Sequence, residues 1–353
     1  MVAGVAAAAA AALLWLPLHD TAPTDEDVRA ALVSMLEQAA PKEQLEQRIA
    51  SALDRDAPEE AEDYLDVADF LRVPIDPALR SRFADETSGL RAAERTVRRA
   101  ATGFVTGDGE GAAGMAAAIA SDLTVVGDIR DLTEQASRIV RGEPVDDLVL
   151  GLAIAGVAMS AATMATAGGA LPVKTGVSLA KLARRTGALT ARFQQELSRV
   201  VVRAADTPAF RQSVAGIPWY RVDDLARAAR SHAARVDMGE LRHVLGSVAE
   251  VGRATSPSRT LAILRHVDDI KDLRDAERAA KLLGKPVSGA FRLAGKRVFS
   301  VMAHAWKMGA KLILALVAAV ISALSFLVCA VMKLKAALRL WRALRPAASA
   351  PVS

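Results

Sequence analysis

The chain has 353 residues, of which 52% are apolar but only 4% aromatic, so alanine carries much of the apolar count. Alanine favours helix and period-two apolar alternation is scarce, which excludes a β-rich domain. A single cysteine, Cys329, excludes an internal disulfide framework and a cysteine-based zinc site. The net charge of +5 is unevenly spread: residues 20–147 hold 28 Asp/Glu against 14 Lys/Arg, and residues 174–308 hold 12 against 25. An acidic and a basic half of this kind lie on opposite sides of a membrane or dock on each other, and the sequence allows both.

Val2–Leu18 is apolar throughout, at the short end for a membrane span. It reads as a signal anchor or first span over residues 1–19, with a cleaved signal or a buried helix as alternatives. An acidic helical region follows over 20–101. Thr24 is placed to cap its first helix, with Asp25, Glu26 and Asp27 where the helix dipole is positive. Ala30, Val33, Leu36 and Ala40 keep helical spacing up to Pro41, and Leu45, Ile49 and Leu53 form the stripe of a second helix. Pro58 opens a third helix and Pro77 a fourth, expected to run from Ala78 to about Ala101.

The centre, residues 102–176, is rich in glycine and alanine. Gly103, Gly107 and Gly111 recur every four residues, and Gly151 and Gly156 add small faces further on, a pattern that lets helix backbones approach closely. Gly109 to Gly114 matches a dinucleotide fingerprint in form only, since no buried strand precedes it. The run Leu148–Val173 carries no formal charge. With basic residues Lys174, Lys181, Arg184, Arg185 and Arg192 behind it, it reads as a possible membrane segment whose C-terminal side faces the cytoplasm. An echo joins Asp128–Leu132 with Gly142, and Asp269–Leu273 with Gly284: each predicts a helix, a glycine stop and a proline-led restart.

A basic helical region spans 177–308, with helices expected over Val177–Arg203, Tyr220–Ala234, Gly239–Gly252, Ser258–Leu283 and Val287–Lys307. Leu312–Met332 is 21 uncharged residues and reads as a transmembrane helix, assigned to 309–332. The tail, 333–353, carries Lys333, Lys335, Arg339, Trp341, Arg342 and Arg345, which predict contact with an anionic lipid surface. Two topologies are open: three spans, or two spans with Leu148–Val173 as a buried or re-entrant hairpin.

No catalytic constellation is assembled. The Glu240–His243 pair has the spacing of a dimetal carboxylate helix but no second copy, and the aspartate pairs at 146–147, 223–224 and 268–269 suit helix starts. No cofactor or metal is expected, nor nucleic acid as a partner, because the basic half lacks interleaved aromatics. The stretches SDLTVVGDIRDL and LVLGLAIAGVAMSAATMATAGGALPVKTGVSLAKLARR resemble uncharacterised alanine-rich membrane proteins of Gram-negative bacteria. More loosely, they resemble the glycine-rich helical segments before toxin domains of large secreted bacterial toxins. The first resemblance implies a bacterial inner-membrane location. Together these readings predict an all-α helical membrane protein with a central Gly/Ala-rich hairpin. Its expected role is that of a non-enzymatic scaffold that binds the lipid bilayer, including anionic lipids, and an unknown protein partner. A pore-forming protein and a membrane-bound enzyme are the alternatives.

Overall fold

The structure is a computed structural model and describes residues 24–89, 125–167, 169–218 and 220–344. Among these residues the chain is all-α. The helices are α1 (Asp25–Ala39), α2 (Lys42–Asp54), α3 (Pro58–Leu71), α4 (Pro77–Thr87), α5 (Val125–Arg141), α6 (Asp147–Ala165), α7 (Leu171–Arg185) and α8 (Ala191–Ala205). They continue as α9 (Thr207–Val214), α10 (Val222–Ala233), α11 (Met238–Ala254), α12 (Pro257–Leu264), α13 (Ile270–Leu283), α14 (Val287–Ala294) and α15 (Arg297–Leu344). The chain divides into two units, one of Arg29–Met302 and one of Met1–Val28 with Ala303–Ser353.

The helix boundaries follow from local chemistry. Thr24 Oγ1 accepts from Asp27 N at 3.2 Å while the Asp27 carboxylate accepts from Thr24 N at 3.0 Å, a reciprocal cap at the start of α1. Asp146 caps α6 by accepting from the amides of Leu148 and Val149, and Asp269 caps α13 by accepting from Asp272 N. Prolines open α3, α4, α7, α9 and α12 within the first turn. Gly142 and Gly284 stand at φ +68° and +69° after α5 and α13, where a side chain would be strained. The sequence echo therefore gives the same stop twice, but its two leading acids differ: Asp269 is a cap and Asp128 lies inside α5.

In the Arg29–Met302 unit, α6 is the hub. It packs on α5, α7, α8 and α10, and every residue from Leu150 to Val157 is buried. A core of Leu132, Ala136, Leu150, Ala153, Ile154, Ala205, Phe210, Val214, Leu225 and Ala229 surrounds it. Burying one leucine of this kind is worth about 2 kcal/mol. The α7–α11 crossing is closer still, because a Cβ at Gly176 would come 1.9 Å from the Leu245 carbonyl oxygen.

The expectation of a helical membrane protein is overturned: among the described residues no helix is long and apolar enough to cross a membrane. The central run is not a single helix, since α6 ends at Ala165 and α7 begins at Leu171. A helix apolar on all sides is equally a membrane span or a buried core helix, and the helices packed around α6 make it the latter. Residues 1–18 and the Gly103, Gly107 and Gly111 repeat lie outside the described residues. Leu312–Met332 continues within α15, where the side chains of residues 305–319, 323, 326 and 329 lie outside the described set. The predicted fourth helix ends at Thr87, where Ser88 is extended, and the rest of its expected course beyond Gly89 lies outside the described residues; the long basic-half helices at 177–203 and 258–283 each divide in two.

The two charged halves dock on each other. Asp63, Asp131, Asp146 and Asp147 of the acidic half pair with Arg259, Lys181, Arg184 and Arg211 of the basic half. All belong to one unit, so the three-span topology, which set the halves on opposite sides of a membrane, falls.

Candidate functional site

Two buried charge clusters hold that docking together. The first joins α5, α6 and α7. Asp128, Asp131 and Gln135 recur on one face of α5, at steps of three and four residues, and all three are buried. Lys174, Ser178 and Lys181 do the same on α7, with Arg185 one turn further. The two stripes face each other. Lys181 is fully buried and its Nζ lies 2.8 Å from Asp128 Oδ1 and 2.7 Å from Asp131 Oδ2. Lys174 Nζ reaches Asp128 Oδ2 at 3.4 Å, and Arg185 closes on Asp131 Oδ1 at 2.5 Å. The Asp128–Lys174 contact is within ion-pair distance without the alignment of a hydrogen bond, so it is electrostatic in character.

Gly156 makes this cluster possible. A Cβ there would lie 2.2 Å from Asp128 Oδ1, so the carboxylate occupies the space that any other residue would fill. Gly151 has a packing role, with an added Cβ 2.4 Å from Val201 Cγ1 on α8. Of the five glycines expected to pack helices, these two are the described ones.

Lys174 also donates to Ser160 Oγ, a pairing that invites comparison with a serine–lysine nucleophile. The surroundings work against that chemistry. Lys174 Nζ is also ion-paired with the Asp128 carboxylate at 3.4 Å, and the Ser160 hydroxyl donates to the Gly156 carbonyl at 2.8 Å. The cluster is an electrostatic clamp across three helices.

The second cluster centres on Asp63 of α3, which is fully buried. Its Oδ1 lies 2.6 Å from Arg259 Nε on α12, and its Oδ2 accepts from Arg292 Nε at 2.5 Å and Ser288 Oγ at 3.0 Å on α14. Arg259 reaches Glu62 at 3.0 Å as well. Gly289 brings α14 against α3, since a Cβ there would lie 2.3 Å from the Asp63 carbonyl oxygen. Burial pushes the nearby Asp66 carboxyl above its ordinary value, with Arg259 opposing.

The remaining features are weaker. An open depression of about 510 Å³ is lined by Ile217, Arg221, Asp224, Arg227, Ala228 and Ser231. Its two arginines are both paired to Asp224, at 2.7 and 3.0 Å. Among the described residues no group of His, Cys, Asp and Glu is placed to hold a metal ion, and Glu240 instead lies 3.5 Å from Arg203.

His266 stacks on Phe291 at 5.9 Å, and burial, aided by Lys296 and Arg265, pushes its pKa below the ordinary 6.5. The fold therefore holds the neutral ring. The stability this contributes is present above pH 6.5 and is lost as pH falls through the lowered folded value. Urea midpoints at pH 7.5 and 5 are expected to drop less in His266→Phe than in the unmodified chain. An equal drop would remove His266 as a cause.

The predicted lipid-contact residues all fall at the C-terminal end of α15 or beyond it. Lys333, Lys335 and Arg339 are exposed there; the side chains of Trp341 and Arg342, and the whole of Arg345, lie outside the described residues. On the same helix Val320, Ile321, Leu324, Leu327, Val328, Val331, Met332, Leu334 and Leu338 are all exposed.

The residues missed in the sequence are Asp128, Asp131, Lys174 and Lys181. The lysines read as the basic flank of a span because their partners lie about fifty positions earlier. A signal was present: polar stripes on α5 and α7 at helical spacing within otherwise small-residue helices.

No protein family, characterised protein or solved structure matches the chain, so the resemblance to alanine-rich membrane proteins is not shown.

Proposed function

We propose that the chain is a non-enzymatic helical scaffold that recruits a protein partner through α15. The observation that carries this is the set of nine large apolar side chains left exposed along one helix. Contiguous exposed apolar surface of that extent marks an interaction site, since leaving it wetted costs about 25 cal/mol per Å². The clamped helical body supports the reading. Its buried acids and bases neutralise one another across helices, which suits a rigid support better than a turnover site. The alternative of a pore built from the central hairpin is disfavoured by the helices packed around α6.

The test is a photo-crosslinking residue placed in the full chain at Leu327, with a control at the exposed Arg242. A discrete protein adduct is expected from position 327, absent from 242 and lost when Leu324→Glu is added. Adducts to lipid alone, or none at 327, would overturn the proposal.

A further inference from the structure

The spacing of the exposed residues on α15 is more specific than their number. Val320, Leu324, Leu327, Val331, Leu334 and Leu338 follow one another at steps of four, three, four, three and four. That is the a/d seam of a heptad repeat. In sequence the same register runs back through Val317, Ile313 and Ala310 to Trp306 and forward to Trp341, inside one uninterrupted helix of 48 residues. Ile321 and Val328 take the e positions, and both are exposed. The seam is therefore widened on one side, as on a helix that faces a core.

The flanks say what kind of helix fits. Lys333, Lys335 and Arg339 are exposed on α15, and among the described residues none of the three has an ion-pair partner. In the a/d register Lys335 and Arg342 take e positions. Glu277 is the last acidic residue of the chain, so nothing in α15 or the tail neutralises these charges. A second copy would not do so either. Aligned parallel, it sets Ala330 and Ala337 against the basic e positions; aligned antiparallel about the middle of the seam, it brings Lys335 towards Lys307. The antiparallel pair opposes like charges, which is unfavourable, and the parallel pair leaves the basic e positions facing alanine.

We infer that α15 is the basic strand of a heteromeric coiled coil, whose partner is an amphipathic helix with heptad-spaced apolar residues and acidic flanking positions. The inference rests on the partner-binding reading and adds the chemistry of the partner. Apolar a/d contacts supply the attraction, and the basic e positions favour acidic flanks over a second copy, which offers them none.

The probe is a pair of synthetic four-heptad peptides with Leu at a and d, carrying Glu at e and g in one and Lys in the other. Each is titrated into the full chain. The acidic peptide is expected to bind at least about tenfold more tightly, an advantage that shrinks with added salt because exposed charges are screened beyond about 8 Å at physiological ionic strength. Leu327→Glu with Leu334→Glu should abolish binding, and Lys335→Glu with Arg342→Glu should reverse the preference; circular dichroism verifies that both variants remain helical. Equal affinity for the two peptides would overturn the inference. So would a full chain that self-associates through the seam in light scattering, or one that prefers anionic vesicles to the acidic peptide. If position 327 still crosslinks a protein when the peptides fail, the scaffold reading stands and only the acidic partner is lost.

Discussion

Lys181→Met is expected to destabilise the Arg29–Met302 unit by about 3–5 kcal/mol, the loss typical of removing one partner from a buried charge group. Methionine fills nearly the same volume, so little of the effect is cavity. What remains is two aspartates, 0% and 2% exposed, deprived of the ammonium that each contacts within 2.8 Å. Water cannot reach them, and only Lys174 and Arg185 remain to offset their mutual repulsion. The readout is the midpoint of urea unfolding followed by circular dichroism. A second variant separates electrostatics from packing: Lys181→Met combined with Lys174→Met, Asp128→Ala and Asp131→Leu removes the buried ion group and leaves only Arg185, which is partly exposed. It should recover most of the loss, because replacing a whole buried ion group by apolar residues is commonly neutral or stabilising. A single-variant loss below about 1 kcal/mol, the level of an exposed pair, would show that the clamp is wet and dispensable.

Asp63→Ala is the second large effect, expected at about 3 kcal/mol or more. It leaves Arg259, Arg292 and the Ser288 hydroxyl without the carboxylate that all three share. The effect should be strongly coupled. In a double-mutant cycle with Arg292→Ala, the pair is expected to lose less than the sum of its members, with an interaction energy of about 1–3 kcal/mol. The solvent-exposed pair Lys271–Asp275, at 2.8 Å, serves as the reference, and Lys271→Ala should shift stability by less than about 0.5 kcal/mol. Equal losses at both sites would mean that burial contributes nothing to the Asp63 cluster.

Much of the helical outline was legible because prolines, capping residues and glycine stops act locally. Thr24, Pro58, Pro77, Asp146, Gly142 and Asp269 each do in the structure what their type and position imply. The environment of α6 was not legible. A run of small apolar residues without charge carries no mark of whether lipid or protein surrounds it, and here protein does. The lysines behind it deepened the error. Lys174 and Lys181 suit a cytoplasmic flank in isolation, and only the tertiary contact with Asp128 and Asp131 shows them buried. The Asp63 cluster was hidden for the same reason, its partners lying 225 and 229 positions away. By contrast, the heptad seam of α15 is a local pattern and was present in the sequence throughout. It was read as lipid-facing because every side of Leu312–Met332 is apolar.

That separation bears on how the protein is made. Asp63 leaves the ribosome long before Arg292 does, and at synthesis rates of about 5–20 residues per second the interval is roughly 11–46 s. Throughout it α2 and α4 can cover part of α3, but the face carrying Asp63 and Val67 has no α14 to pack against. The early helices must therefore wait as a partly finished surface, within reach of chaperones and proteases, until the basic half arrives. A ribosome-stalled chain ending before residue 257 should be cut by protease within α3, and one long enough to expose α14 should resist.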